Sequence, residues 1–104
     1  MEKVSFREEG DELYVHLLPE IDHHMARGVR EDIDEMLFKL TPVSLILDFS
    51  EVKFMDSSGV GLIIGRAEIC RELGCSVKLR GLSKMISRII KLSGIEKIKN
   101  ITIE

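Results

Sequence analysis

The fold is decided between residues 45 and 66, which read LILDFSEVKFMDSSGVGLIIGR. The first five of these residues form an apolar run that only Asp48 interrupts, and such a run is typical of a central strand covered on both faces. Residues 50–56 are predicted to form a loop. A helical pattern then begins near Ser57 and ends at Gly74, because glycine commonly terminates helices. This strand, loop and helix together are the repeating unit of α/β domains.

The first half of that helix contains three glycines, Gly59, Gly61 and Gly65. Each glycine inside a helix costs about 1 kcal/mol relative to alanine. We therefore expect the helix to gain something from a close approach to its backbone, either by tight packing or by a bound partner.

The residues before this unit predict a hairpin and a helix. Residues 4–6 and 12–18 are β-prone, and the polar, glycine-containing residues 8–11 between them suit a hairpin loop. Apolar residues then recur at helical spacing over residues 22–40, which predicts an amphipathic helix with Asp22 as its N-cap.

The residues after the unit predict a further strand, a third helix and a short final strand. Residues 75–80 alternate between apolar and polar side chains, as in a strand. Ser83 is expected to cap a helix that ends at Gly94, and Ile101 and Ile103 suggest the last strand. The fold class predicted is α/β: one domain over residues 1–104, with an antiparallel N-terminal hairpin, parallel strands in a mixed sheet and about three main helices.

Composition excludes several classes of function. The chain has 104 residues, 44% hydrophobic and 32% charged, which is ordinary for a globular protein. A net charge of -3, one Tyr and no Trp argue against nucleic acid as a partner. Apolar runs as short as residues 62–64 are far from the roughly twenty residues that cross a membrane.

The cysteines and histidines suggest neither a metal site nor a cofactor. Cys70 and Cys75 lie five positions apart, which does not match the spacings of zinc sites, and the three histidines show no matching pattern. The chain begins with the charged residues 1–3 rather than with a secretory signal, so we expect two ordinary thiols in the cytoplasm.

The segment from Phe54 to Gly61 is the one that suggests chemistry. It joins a buried strand to a helix N-terminus, where free amides and the helix dipole favour phosphate. Ser57 would be the N-cap or its neighbour, with its hydroxyl at the surface, and Asp56 could position it through a local hydrogen bond. By pattern alone, Asp, Ser and Gly before an apolar helix are more often a structural cap.

Three segments of the sequence resemble the STAS domains, and within them the anti-sigma factor antagonists of the sporulation and stress-response type. The main segment is FMDSSGVGLIIGR, residues 54–66. EIDHH, residues 20–24, resembles the Gly-Glu-Leu-Asp segment that precedes the first helix of that family, and LSGI, residues 92–95, resembles a turn after a late helix. Pro19 departs from the pattern, because the family usually has glycine there.

The resemblance implies a non-enzymatic switch without a cofactor or catalytic residues. In such proteins the serine after the Asp of the motif is phosphorylated, which corresponds here to Ser57. The unphosphorylated form binds an anti-sigma factor that is also a serine kinase, and so frees a sigma factor. A metal-dependent serine phosphatase later restores the unphosphorylated form. The residues expected to contact the partner are Glu20, Asp22, His23, His24, Asp56, Ser57, Ser58 and Gly59.

Two alternatives remain open at the level of sequence. A STAS module of this kind could instead dock on an ATPase of a membrane transport or lipid-trafficking complex. A serine hydrolase is the second alternative, although its nucleophile elbow requires Gly-x-Ser-x-Gly and this chain has Asp-Ser-Ser-Gly. Three basic residues of the third helix, Lys84, Arg88 and Lys91, are expected to form a solvated face more often than a docking patch.

Overall fold

The structure is a computed structural model that describes residues 4–104. Residues 1–3, on which the expectation of a cytoplasmic protein partly rests, lie outside the described residues. The strands are β1 (Ser5–Glu9), β2 (Glu12–His16), β3 (Glu20–Ile21), β4 (Ser44–Asp48), β5 (Phe54–Met55), β6 (Ser76–Arg80) and β7 (Ile101–Ile103). The α-helices are α1 (His23–Leu40), α2 (Ser57–Leu73) and α3 (Lys84–Ser93), and a 3-10 turn covers Ile95–Lys97.

The mixed sheet predicted from the sequence is confirmed. Its strand order is β1-β2-β4-β6-β7, with β1 antiparallel to β2 and the other neighbours parallel. The strand β4 lies at the centre of this sheet, as the apolar run predicted. Parallel neighbours place the carboxyl ends of β2, β4 and β6 at one edge, and the connections that leave this edge carry the candidate site.

The N-terminal hairpin is tighter than expected. Residues 8 and 9, predicted to belong to the loop, are the last residues of β1, and only Gly10 and Asp11 form the turn. Gly10 has a φ of 61°, a conformation that glycine adopts without the steric cost other residues pay. A two-residue turn with this geometry continues the twist of both strands, so the ladder extends further than the polar composition suggested.

One face of the sheet carries the helices. Leu45 and Leu47 of β4 belong to a buried cluster with Ile33 of α1, Ile63 of α2 and Ile86 of α3. The three helices therefore share one core with this face, and burial of their apolar stripes is the main force that holds the layers together. Among residues 4–104, no helix is long and apolar enough to cross a membrane.

The opposite face of the sheet is covered by the side chains of its own strands. Ile46 points to this face and is nevertheless fully buried, between Tyr14 and Lys78 in register. The Tyr14 ring in turn lies under two guanidinium groups, 4.5 Å from Arg7 and 5.5 Å from Arg80. Long side chains with charged ends thus shield the second face of the central strand from solvent.

The predicted caps Asp22, Ser83, Gly74 and Gly94 are confirmed, whereas α2, for which Ser57 was expected as the N-cap or its neighbour, is capped by Asp56. Asp22, Asp56 and Ser83 are the N-caps of α1, α2 and α3, and Gly74 and Gly94 end α2 and α3 with positive φ. The side chains of the three N-caps accept hydrogen bonds from first-turn amides, which would otherwise have no partner in the helix.

Sequence reasoning missed two short strands. Residues 50–56 were predicted to be a loop, yet Phe54 and Met55 form β5, which pairs in parallel with Glu20 and Ile21 of β3. Two residues are too few to show an alternating pattern, so only the tertiary structure reveals this pairing.

Candidate functional site

The first turns of α1 and α2 are joined by one carboxylate. Oδ1 of Asp56 accepts from the amide of Ser58 at 2.8 Å, and Oδ2 accepts from the amide of His23 at 3.3 Å. Asp56 therefore caps α2 and also reaches the beginning of α1, 33 positions away in the chain. The two segments that carry the family resemblance, residues 20–24 and 54–66, are held together at this point.

The hydrogen bonds to Asp56 favour its ionised form. The amide of Ser58 holds the pKa of the Asp56 carboxyl below its ordinary value, and the amide of His23 acts in the same direction. The site consequently has a fixed negative charge beside Ser57 at neutral pH.

Ser57 is exposed and is the first residue of α2. Ser57 is thus the neighbour of the N-cap rather than the cap itself. Instead of the expected hydrogen bond with Ser57, the Asp56 carboxylate accepts hydrogen bonds from the amides of Ser58 and His23. The hydroxyl of Ser57 stands where the amides of the first helical turn can stabilise a negative group.

A close contact explains one of the three glycines of α2. A Cβ added at Gly59 would overlap Cγ and Sδ of Met55, whereas a Cβ at Gly61 or Gly65 would meet nothing within 4 Å. Gly59 is buried and makes room for the buried side chain of Met55. Tight packing accounts for Gly59, and Gly61 and Gly65 leave open surface on the helix.

The pairing of β3 with β5 presents a small surface next to Ser57. Ile21 and Met55 are paired and buried, while Glu20 and Phe54 are paired and exposed, and Phe54 is 50% exposed. The carbonyl of Pro19 accepts from the amides of residues 53 and 54 at 2.7 and 3.1 Å. Since this role needs only a carbonyl, the proline in place of the usual glycine is compatible with the pairing.

A groove of about 650 Å³ lies between α1 and α2 beside the exposed serine. Its lining residues come from the first two turns of both helices: His23, His24, Ala26, Arg27, Arg30, Ser58, Gly61 and Leu62. Four of them carry basic side chains, and Gly61 leaves the wall open on the α2 side. We refer to it below as the α1–α2 groove.

An ion pair between a buried arginine of α2 and a half-buried aspartate of α1 was not found by sequence reasoning. Nε of Arg66 lies 2.6 Å from Oδ1 of Asp34, and the Arg66 side chain is only 4% exposed. Burial raises the pKa of Asp34 and lowers that of Arg66, while their mutual attraction opposes both shifts. Arg66 follows Leu62 and precedes Cys70 by four residues each, so helical spacing could have placed it on the buried face.

The structure brings together most of the predicted partner-contact residues. Glu20, His23, His24 and Ser57 are exposed around the beginnings of α1 and α2, and the other predicted positions are half-buried or, for Gly59, buried. The basic residues of α3 are exposed and lie outside the lining of the α1–α2 groove. In the described residues, no group of three or more His, Cys, Asp or Glu could hold a metal ion.

The fold and this surface define a class of protein: a small mixed-sheet domain with an accessible serine where two helices begin. Residues 3–103 match the STAS domain family, and the chain belongs to that family.

A named relative and two solved structures are similar to it. The chain is 33% identical over 86 residues to the anti-sigma F factor antagonist of Paenibacillus polymyxa, covering 83% of this chain and 74% of the relative. The structure of the anti-sigma factor antagonist SpoIIAA in its unphosphorylated form has a TM-score of 0.83 at 24% identity, with 98% of this chain and 88% of that chain covered. The Bacillus cell fate determinant SpoIIAA in the phosphorylated form has a TM-score of 0.75 at 24% identity, over 98% and 91% of the two chains. The structural likenesses show the fold.

Proposed function

We propose that this protein is an anti-sigma factor antagonist that phosphorylation of Ser57 switches off. Its unphosphorylated form binds an anti-sigma factor that is also a serine kinase, and so frees a sigma factor in the cytoplasm. The kinase then phosphorylates Ser57, and a metal-dependent serine phosphatase removes the phosphate. The protein acts as a binding partner and a kinase substrate, not as an enzyme.

The observation that carries this proposal is the exposure of Ser57 at the start of α2, next to the contact between Asp56 and His23. A kinase can reach a hydroxyl at such a position without unfolding the domain. The names of the relatives support the same function, because one is an anti-sigma F factor antagonist and another has been solved in unphosphorylated and phosphorylated forms.

The electrostatics of the site explain why a phosphate would release the partner. A phosphoserine adds about -1.5 to -2 charges at neutral pH. The phosphate would lie beside the ionised Asp56. A partner surface that is complementary to one negative charge would then contact a site with a total of about three negative charges. Like charges juxtaposed in an interface cost several kcal/mol, and each 1.4 kcal/mol weakens binding about tenfold. The fold is expected to persist, because the amides of α2 accommodate an anion.

The first experiment maps the phosphorylated residue. The protein is incubated with ATP and the kinase-type anti-sigma factor from the same organism, and the product is analysed by peptide mass spectrometry. We expect one phosphate on Ser57 and none in the Ser57→Ala variant. Ser83→Ala is the matched control, since Ser83 is also an exposed serine at a helix N-terminus. Phosphate on another residue, or none at all, would overturn the proposal.

The second experiment separates charge from shape. Binding of the same anti-sigma factor is measured by calorimetry for the wild type, Ser57→Asn and Ser57→Asp, because Asn and Asp have nearly the same size. Ser57→Asn is expected to bind within a few-fold of the wild type and Ser57→Asp at least about tenfold more weakly. Equal affinities of the two variants would show that negative charge at residue 57 is not the switch.

A further inference from the structure

The α1–α2 groove is basic although the whole chain is acidic. The formal net charge is -3, yet two arginines and two histidines line this one concavity. The α2 side contributes Ser58, Gly61 and Leu62, none of which has a carboxylate. The first turns of both helices border the groove, and the positive ends of their dipoles add to the field of the basic side chains.

None of the described residues that line the groove carries a carboxylate, although the ionised Asp56 reaches the amide of His23 at its edge. Arg27 pairs with Glu31 at 3.4 Å, but both side chains are more than half exposed, and exposed pairs of this kind interact weakly. Asp34 is close enough to Arg30 to feel its charge, but the Asp34 carboxylate is paired with Arg66 at 2.6 Å. The groove thus offers cationic groups to an incoming anion.

We propose that the α1–α2 groove receives an acidic segment of the anti-sigma factor that binds at Ser57. This inference rests on the proposed function and adds a second contact region to it. From His23 to Arg30 the basic side chains extend over eight residues of α1, about 10 Å along the helix. That span suits several carboxylates along a peptide better than one phosphate. Since Ser58 lines the groove directly after Ser57, a single partner covers both.

The groove also gives the phosphate a second way to act. A phosphoserine at residue 57 places its charge next to Ser58, which lines the groove, and cancels part of the attraction for an acidic segment. Phosphorylation therefore weakens the binding of the partner in the groove as well as its contact at Ser57.

The test measures binding of the anti-sigma factor to two pairs of matched variants. In α1, the double variant Arg27→Glu/Arg30→Glu is compared with Lys39→Glu, an exposed charge reversal in the last turn of the same helix. In α2, Gly61→Glu is compared with Gly65→Glu, since neither position has an atom within 4 Å of an added Cβ. Only Gly61 lines the groove. Urea denaturation checks that each variant is folded.

We expect the two groove variants to bind at least about tenfold more weakly, chiefly through slower association at low salt, and the two controls to bind like the wild type. Retained binding by both groove variants, with Ser57→Asp still weakened, would overturn the groove and leave the proposed function standing. Absence of binding by the wild type would overturn both. Inorganic phosphate that binds at Arg27 and Arg30 without competing with the partner would indicate a small-anion site and would also overturn the proposal.

Discussion

Alanine at Gly59 and at Gly61 should change stability in opposite directions, although both glycines lie in the same helix. At each position alanine gains about 1 kcal/mol of helix propensity. At Gly61 the added Cβ meets nothing within 4 Å, so Gly61→Ala should stabilise the protein by about that amount. At Gly59 the Cβ overlaps the buried side chain of Met55, which is only 3% exposed and has little room to move.

The magnitude follows from the cost of overpacking, which is typically about 1–3 kcal/mol. Because the propensity gain is common to both variants, it cancels when they are compared. Gly59→Ala should therefore be less stable than Gly61→Ala by about 1–3 kcal/mol. With a urea m-value of roughly 1–3 kcal/mol/M for a domain of this size, the two midpoints should differ by about 1 M.

The assay is equilibrium urea denaturation followed by circular dichroism, with Gly65→Ala as a second control that should behave like Gly61→Ala. Displacement of Met55 also shifts β5, so Gly59→Ala should be phosphorylated more slowly at Ser57 than either control. Coincident midpoints for Gly59→Ala and Gly61→Ala would refute the reasoning, because the contact with Met55 would then not require glycine.

Three further predictions concern the core and the caps. Asp34→Asn should destabilise the protein by about 3 kcal/mol, since it leaves the buried Arg66 without its counter-charge, and Asp34→Leu/Arg66→Met should recover much of the loss in urea denaturation. Leu37→Ala should cost about 2–5 kcal/mol by calorimetry, whereas Phe38→Ala, at a 61% exposed side chain, should change stability by less than about 0.5 kcal/mol. The pKa of Asp56 is lowered in the folded state, so its stabilising effect is complete above its ordinary pKa of 3.8 and is lost as the pH falls through the lower folded value. Asp56→Ala should thus lower the urea midpoint at pH 7, and the difference in midpoint between this variant and the wild type should disappear at strongly acidic pH. A difference in midpoint that did not depend on pH would contradict this explanation.

Long elements were predictable because their patterns repeat. The apolar spacing of α1, the alternation in β6 and the capping residues Asp22 and Ser83 each reflect local chemistry that needs no knowledge of the rest of the fold. The shorter β3 and β5 were missed, since two residues show no period. The hairpin loop was predicted too long because polar residues at the end of β1 resemble a loop in composition.

The candidate site was predictable in part. The motif around Ser57 and its place at a helix N-terminus could be identified from the sequence, and the structure gives that serine an exposed position. The link that Asp56 makes between α2 and α1 could not be predicted, because the sequence indicates at most a local cap at this position. Its bond to the amide of His23 depends on where α1 begins relative to α2.

By itself, the sequence determined the order of the longer strands and helices, the capping residues Asp22 and Ser83 and the serine motif at the start of α2, because each of these depends on neighbours within a few positions along the chain. Only the tertiary structure decided that Asp56 joins two helices and that the side chain of Met55 packs against Gly59. The same holds for the burial of Arg66 against Asp34 and for the groove that basic residues of α1 line. Those features join residues from separate elements of the chain. Packing of α1 against α2 over a common core brings the residues together, and no local pattern encodes that arrangement.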